Sequence, residues 1–468
     1  MAFGRPAHSA NYRRSGPARL GEQEGAWSPQ LLTAAALVVI CIVFGGGGSP
    51  SPNSELIVEI AALAAVAVWT FLPSRSFAID RVLWIIVALW LAIPLLQLVP
   101  LPPSIWHNLP GRELEVEALH LVAAGESWRP ISLAPYLTLA SLLSLIPPII
   151  IIYFVSQLDY KERSTLLLCV TAAALIAALL GLLQVSGGRS EILRFYPDIS
   201  PGFATGFQAN RNAAADVLLV GGAGLAASIL AYPHAVRTGL AKALVVAIAA
   251  FLVLSIVLTG SRAGTMLIVV PAAIGGIAYW VRRYGKRRLL IALAISGVAL
   301  FIFAILALQN PRVARTMARF SSDPSMRVEF WKDTVYAAKL YWPFGSGLGT
   351  FEPIFKINER LEGVSNLVVN RAHQDYLEFF LEAGAFAIIA IVAAAAAIAV
   401  RIGDRLRQDA GRFHFAQTIF ATIVLAVLGL HSLVDYPMRS LALACLGGLA
   451  CGVLSRARTR RGDFRESE

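Results

Sequence analysis

KRRLLIALAISGVALFIFAILALQ, residues Lys286 to Gln309, is the stretch that decides the fold. Three basic residues precede the uncharged run Leu289–Leu308. At 1.5 Å per residue that run makes a helix of about 30 Å, the thickness of a bilayer's hydrocarbon layer. Comparable runs recur in both directions along the 468-residue chain, which is 57% hydrophobic and 15% charged. Soluble domains carry roughly 25% charged residues. A transmembrane β-barrel would show short alternating segments instead, so the reading is an all-α polytopic membrane protein.

Continuous apolar stretches with charged flanks predict about twelve spans. They fall near 29–46, 54–72, 82–101, 134–156, 164–186, 212–232, 239–259, 263–281, 289–308, 376–400, 414–434 and 438–455. Basic residues test the count. Arg75 and Arg81, Lys161 and Arg163, Arg237 and Lys242, Arg282 to Arg288, and Arg401 to Arg412 occupy alternate loops. Both termini are basic as well, so an even count puts all of them on one side, the cytoplasm by the positive-inside rule. The net charge of +11 is then topological, with attraction to anionic lipids and no need for nucleic acid. The expected organisation is a basic, disordered cytoplasmic arm over 1–28, a membrane domain over 29–456 that includes a periplasmic loop at 309–374, and a cytoplasmic tail over 457–468. The first apolar segment reads as an uncleaved signal-anchor. Cys41, Cys169, Cys445 and Cys451 all fall inside spans and read as packing residues.

The outer face then collects the segments that could carry chemistry. Arg262, in the turn Ser261-Arg262-Ala263-Gly264, sits where short loops usually lack basic residues. It either snorkels to headgroups or clamps an anion in a lateral cavity. In the long loop, Asp323 with Pro324 can cap a helix. Val328, Trp331, Val335, Ala338 and Trp342 follow at helical spacing, the mark of an amphipathic helix lying on the membrane, with Lys332 and Lys339 reaching headgroups. Arg327 stands one turn before Trp331; it is either solvated or paired with that aromatic platform to hold a charged headgroup. Gly345, Gly347 and Gly349 allow tight turns and could present N–H groups to a phosphate, although the Gly-Lys-Ser/Thr of a nucleotide-binding loop is missing. His373, at the mouth of a span, is either the base of a reaction or an interfacial histidine satisfied by the loop. His431 and Asp435 lie one helical turn apart, so Asp435 could orient or charge-stabilise His431, which otherwise reads as structural. The acidic cluster Glu113, Glu115 and Glu117 reads as a solvated loop, and no acidic pair is placed to bind a metal.

Ser261-Arg262-x-Gly264, Arg327-x-x-x-Trp331, Gly345-x-Gly347-x-Gly349-x-Phe351, Ala372-His373-x-x-Tyr376-Leu377 and Glu382-x-Gly384 occur in this order. In that arrangement the chain resembles the O-antigen ligase and polymerase superfamily, most strongly from about Phe207 to Gly384. The resemblance implies a GT-C-like membrane glycosyltransferase acting on undecaprenyl diphosphate-linked oligosaccharide at the periplasmic face of the bacterial inner membrane, with both termini cytoplasmic. It implies a catalytic His373 and donor-binding Arg262 and Arg327. Arg211, Arg371, Trp331, Tyr376, His431, Asp435 and Arg439 are the supporting candidates. Gln374 departs from the family, which commonly has Asn there, and this leaves the acceptor less defined than the reaction.

The residue chemistry agrees with that expectation. A diphosphate leaving group needs charge neutralisation, which the planar, always-charged arginine fork supplies. A neutral histidine can take the acceptor hydroxyl's proton. The expected reaction is inverting and uses no metal or other cofactor. A polymerase extends the lipid-linked chain, whereas a ligase passes it to another lipid or glycan acceptor such as lipid A-core. Residues 431–439 resemble polymerase-like relatives and tilt the reading that way. Other polysaccharide export proteins are expected partners, alongside anionic lipids. The competing class is a polysaccharide transporter or flippase; it would place polar residues deep in the spans or in broken helices, whereas here they gather at one surface.

Overall fold

The computed structural model describes residues 27–47, 52–75, 80–187, 193–196, 202–285, 326–364, 368–408 and 411–456. Among them the regular structure is helical, with one isolated bridge between Leu101 and Arg129. Among the described residues eight helices are long and apolar enough to cross a membrane: Asn53–Phe71, Pro135–Gln157, Tyr160–Ser186, Arg211–Ala231, Gly239–Leu258, Arg262–Tyr284, Ala385–Arg407 and Gly411–His431. Pro29–Phe44, Arg81–Gln97 and Leu441–Leu454 are shorter apolar helices. The chain is an all-α polytopic membrane protein. The expected span at 289–308, the Asp323–Pro324 cap, most of the N-terminal arm and the tail lie outside the described residues.

Two expected boundaries shift. The span expected at 376–400 starts at Ala385, because a separate helix, Asp375–Ala383, ends at Gly384 with φ +54°. A Cβ at Gly384 would lie 2.1 Å from the Pro343 carbonyl oxygen, so only glycine permits this corner. The span expected at 134–156 is divided at Leu145, just before Pro147 and Pro148, which lack the N–H groups that a continuous helix would use.

The centre is built from Arg211–Ala231, Gly411–His431 and Tyr160–Ser186, in which 72%, 61% and 50% of the apolar window is buried, against 11% in Ala385–Arg407. Small residues bring the central helices together. A Cβ on Gly221 would stand 2.4 Å from Ala174 Cβ, and one on Gly224 would stand 2.2 Å from Thr171 Oγ1. Such backbone approach maximises van der Waals contact where lipid removes any hydrophobic drive between helices.

The two ends of the bundle differ. At one end Ser28, Arg75 and Glu162 bond together, Arg282 lies over the Phe415 ring, and Arg401 pairs with Asp80. Arg163 and Arg405, expected as loop charges, are instead buried there. Arg163 donates to the carbonyls of Val155, Ser156, Val453 and Ser455, and Arg405 to Thr418 Oγ1 and the Ser455 carbonyl. These carbonyls belong to helix C-termini, where unpaired acceptors and a partial negative charge accumulate. The other end holds Gly45, Gln97, Phe207, Asn212, Asp435 and the whole His373 region, joined by Gly46–Ala209, Gly45–Ala442 and Gln97–Glu382 bonds. The described chain leaves at the first end with Gly285 and re-enters at the second with Met326.

Candidate active site

The backbone around His373 is held from several directions. Gln374 caps the Asp375–Ala383 helix by accepting from Leu377 N at 2.7 Å. Its side-chain oxygen thereby satisfies one of the unpaired N–H groups at that helix start. The Ala372 N–H donates to Glu378 Oε2 (2.9 Å), and the Ala372 carbonyl accepts from Trp331 Nε1 (2.9 Å). The Asp375 N–H donates to the carbonyls of Ser432 and Asp435. Between these anchors His373 adopts φ +53°, a left-handed conformation that costs a β-carbon residue of order 1 kcal/mol or more and persists only where neighbours over-determine it.

That strain aims the imidazole at a carboxylate. His373 Nδ1 lies 3.1 Å from Asp435 Oδ1, and Asn212 Nδ2 donates to Asp435 Oδ2 at 2.5 Å. The Asp435 side chain is 4% exposed while that of His373 is 26% exposed. Burial pushes the Asp435 carboxyl up, but the His373 hydrogen bond and the charges of His373 and Arg327 outweigh it and hold the group below the usual carboxylate range. An ionised Asp435 accepts only, so His373 Nδ1 is the donor between them. Tyr436 packs edge-on against the imidazole at 5.0 Å. Burial pushes its phenol up to about 12, leaving it neutral at physiological pH.

The arginines fall into two sets. Arg327 Nη1 donates to the Val434 carbonyl at 2.6 Å, which puts a guanidinium beside the Asp435–His373 pair with its other nitrogens uncommitted among the described residues. Arg371 and Arg439 are committed: Arg371 bonds Glu378 (3.0 Å), and Arg439 bonds Glu382 (2.8 Å) with Glu378 at 3.4 Å and Asp375 at 3.7 Å. Burial disfavours the Arg439 charge, but the three carboxylates raise its pKa above the ordinary arginine value. Burial lifts Asp375 to about 7 and also raises Glu382. These groups brace the site from beneath. Arg211 lies over the Phe203 ring at 4.7 Å, and Phe203 fills the space beside Gly260. Arg262 is exposed at the first position of its helix, which Ser261 caps through Gly264 N at 3.0 Å. Gly264 packs on Ala215, within one turn of Asn212. The structure thus joins Arg327, Trp331, Arg371, His373, Tyr376, His431, Asp435 and Arg439 in one network, and seats Arg211 and Arg262 on its flank.

Several expectations are corrected. Asp435 does not orient His431: its carboxylate faces His373, and His431 Nδ1 bonds Asp216 Oδ1 at 2.7 Å with both side chains essentially inaccessible. Most N–H groups of the glycine-rich turn are already bonded. Gly345 N donates to Tyr341 O, Ser346 N to Leu381 O, Gly347 N to Glu382 O and Leu348 N to Gln97 Oε1. These glycines adopt positive φ and pack directly on neighbours, Gly347 against Ser132 and Gly345 against the Glu382 carbonyl. Tyr376 is likewise occupied, donating to the Gly429 carbonyl. Of the stripe expected on Met326–Leu340, Ala338 is buried and Trp331 points to Ala372, whereas Val328, Val335 and Trp342 are exposed. Glu113 and Glu115 open a helix, Glu113–Leu121, where Glu115 pairs with Arg112.

Sequence reading gave no role to Asn212, Asp216, Asp375, Glu378, Glu382 and Gln97. A signal existed for five of them. Asp375, Glu378 and Glu382 recur at spacings of three and four in an otherwise apolar helix, so they share a face that must find cations. Asn212 and Asp216 show the same one-turn spacing in a glycine- and alanine-rich span.

Residues 245–392 match the family model described as O-Antigen ligase. The matched segment contains Arg262, Arg327 and His373 and stops short of Asp435. Among curated proteins no significant match to the chain is found. Members of the matched family are glycosyltransferase-like enzymes, ligases or polymerases of lipid-linked glycans. With its membrane-spanning helices, the similarity of residues 245–392 to that family supports membership of the O-antigen ligase and polymerase superfamily.

Proposed function

We propose that the protein transfers a glycan from an undecaprenyl diphosphate-linked donor at the periplasmic face, with His373 as general base. One observation carries the reading: His373 Nδ1 is paired with buried Asp435 while about a quarter of the His373 side chain stays exposed, and Arg327 bonds the carbonyl of Val434, the residue before Asp435. In the reaction, Nε2 takes the proton of the acceptor hydroxyl as that oxygen bonds to the anomeric carbon. The bond from that carbon to the diphosphate oxygen breaks, and undecaprenyl diphosphate departs with the electron pair. Asp435 stabilises the imidazolium that forms, and general-base help of this kind supplies roughly 10²–10⁴-fold. Arg327, with Arg211 and Arg262 from the flank, meets the diphosphate as its charge grows, and fixed cations act strongly where water is excluded. Attack opposite the leaving group inverts the anomeric centre.

The orientation rests on charge. Arg75, Arg282, Arg401 and Arg405 gather at the end opposite His373, and the positive-inside rule assigns that end to the cytoplasm of the inner membrane. We favour polymerase over ligase, because Asp435 comes from the 431–439 segment that resembles polymerase-like relatives. Purified protein given undecaprenyl diphosphate-linked repeat units, with and without lipid A-core, tests both points. Longer lipid-linked chains identify a polymerase, and label on lipid A-core a ligase. No product from either arm, with protein folded, removes the enzyme reading.

A further inference from the structure

The helix Met326–Leu340 carries apolar residues on two opposite faces, and only one of them is covered. Phe330, Ala337, Ala338 and Tyr341 pack on Phe351, Phe355, Ala372 and Leu381. On the opposite side Val328, Val335, Tyr336 and Trp342 are between 38% and 56% exposed. At 100° per residue Val328, Val335 and Tyr336 fall in one arc of about 100°, with Lys332 and Lys339 between them; Trp342 lies two residues past the helix end. Single exposed apolar residues are ordinary, but an ordered apolar face marks an interaction surface.

The anchoring of the helix says which surface it meets. Near its start Arg327 bonds the carbonyl of Val434, three residues beyond the end of the Gly411–His431 span. Just past its end the Pro343 carbonyl accepts from the N–H of Ala385, the first residue of the Ala385–Arg407 span. A helix of 15 residues is about 22 Å long, and here both of its ends are pinned where spans leave the apolar layer. It therefore lies across that end of the bundle at the depth of the lipid headgroups. Its apolar face is also continuous with the outer surface of a span: Trp342 packs on Phe380 at 5.4 Å, and Phe386, Ile388 and Ile389 beyond it are exposed.

We propose that the outward face of Met326–Leu340 is seated in the headgroup layer of the bilayer, with Val328, Val335, Tyr336 and Trp342 turned to the acyl boundary. Lys332 and Lys339 reach anionic phosphates; Lys332 also holds Glu329 at 2.8 Å. Aromatic rings at the boundary and lysines reaching to headgroups are the chemistry of an interfacial helix. Because Arg327 and Trp331 sit on this helix, its seating holds them beside His373. The proposal concerns the helix and the lipid surface, and it stands or falls independently of the glycosyl-transfer reading.

The full chain, reconstituted in nanodiscs of phosphatidylethanolamine and phosphatidylglycerol, provides the test. Nitroxide labels are placed singly at Val328→Cys, Val335→Cys and Tyr336→Cys, with Glu362→Cys as an exposed control, after replacing the four native cysteines. Collision with oxygen is expected to exceed collision with a water-soluble nickel chelate several-fold at the three helix positions, with the reverse at 362. Chelate access at the helix positions equal to that at 362 overturns the proposal. So does low access to both reagents, which would mean that another protein segment covers the face. If the cysteine-free chain fails to fold, p-benzoylphenylalanine at Val335 in the native background serves instead. Phospholipid adducts after irradiation support the seating, and their absence beside intact protein refutes it.

Discussion

Two histidine–aspartate pairs stand one rung apart in this molecule, and they are built for different ends. His373–Asp435 joins a strained loop residue to a carboxylate, and a quarter of its imidazole is open. His431–Asp216 joins two membrane helices, and neither side chain can be reached. One helix serves both: Asn212 holds Asp435 and, one turn deeper, Asp216 holds His431. In the deep pair His431 Nε2 and Asp216 Oδ2 have no partner among the described residues. The difference teaches that, of two histidine–carboxylate pairs, only one left partly open is available to a substrate. Buried on all sides, the same pair fastens helices.

The comparison can be broken most sharply at His373. His373→Ala is expected to lower product formation roughly 10²–10⁴-fold, with an unchanged melting temperature in detergent; comparable loss of both would make His373 structural. Asp435→Asn confronts the Asn212 amide with a second amide and no longer fixes the Nδ1–H tautomer. Removal of a carboxylate that fixes a histidine base's tautomer costs up to about 10⁴-fold, and activity measured on folded protein should fall by no more than the His373→Ala loss. The deep pair should respond in the other observable. His431→Leu leaves Asp216 buried without a partner, a loss of roughly 3–5 kcal/mol in folding stability, read by thermal unfolding, while the activity of the folded fraction stays close to wild type. A large activity loss without destabilisation would move His431 into the chemistry.

The smallest effect is expected from the brace beneath the site. Asp375 has its carboxyl lifted by burial from 3.8 to about 7. Because the folded value is the higher one, its ionisation opposes folding: stability is greatest below about 4 and declines as pH rises through 7. Asp375→Asn keeps an acceptor for Ser432 and the Met438 N–H and removes the proton. Its melting temperature should therefore vary less than wild type between pH 5 and 8, and an unchanged pH slope would show that another group titrates there.

Much of the site was legible one residue at a time. Arg327 and His373 stand out because a permanent charge and a titratable ring beside apolar spans need a reason to be there. Asp435 was visible too, yet the nearest histidine in sequence was not its partner. Local spacing suggested His431, whereas the contact runs to His373 across 62 positions. The glycine-rich turn failed differently: composition reports that a backbone can turn, not whether its N–H groups are already bonded.

The sequence by itself determined that this chain crosses a membrane many times and which end carries the polar chemistry. Hydrophobic length and charge are local quantities that the bilayer reads segment by segment. Only the tertiary structure decided which helices lie inside, because hydrocarbon tails and neighbouring helices are equally apolar and leave no hydrophobic stripe to read. It alone chose between the two imidazoles, since burial and carboxylate pairing come from helices up to 215 positions apart.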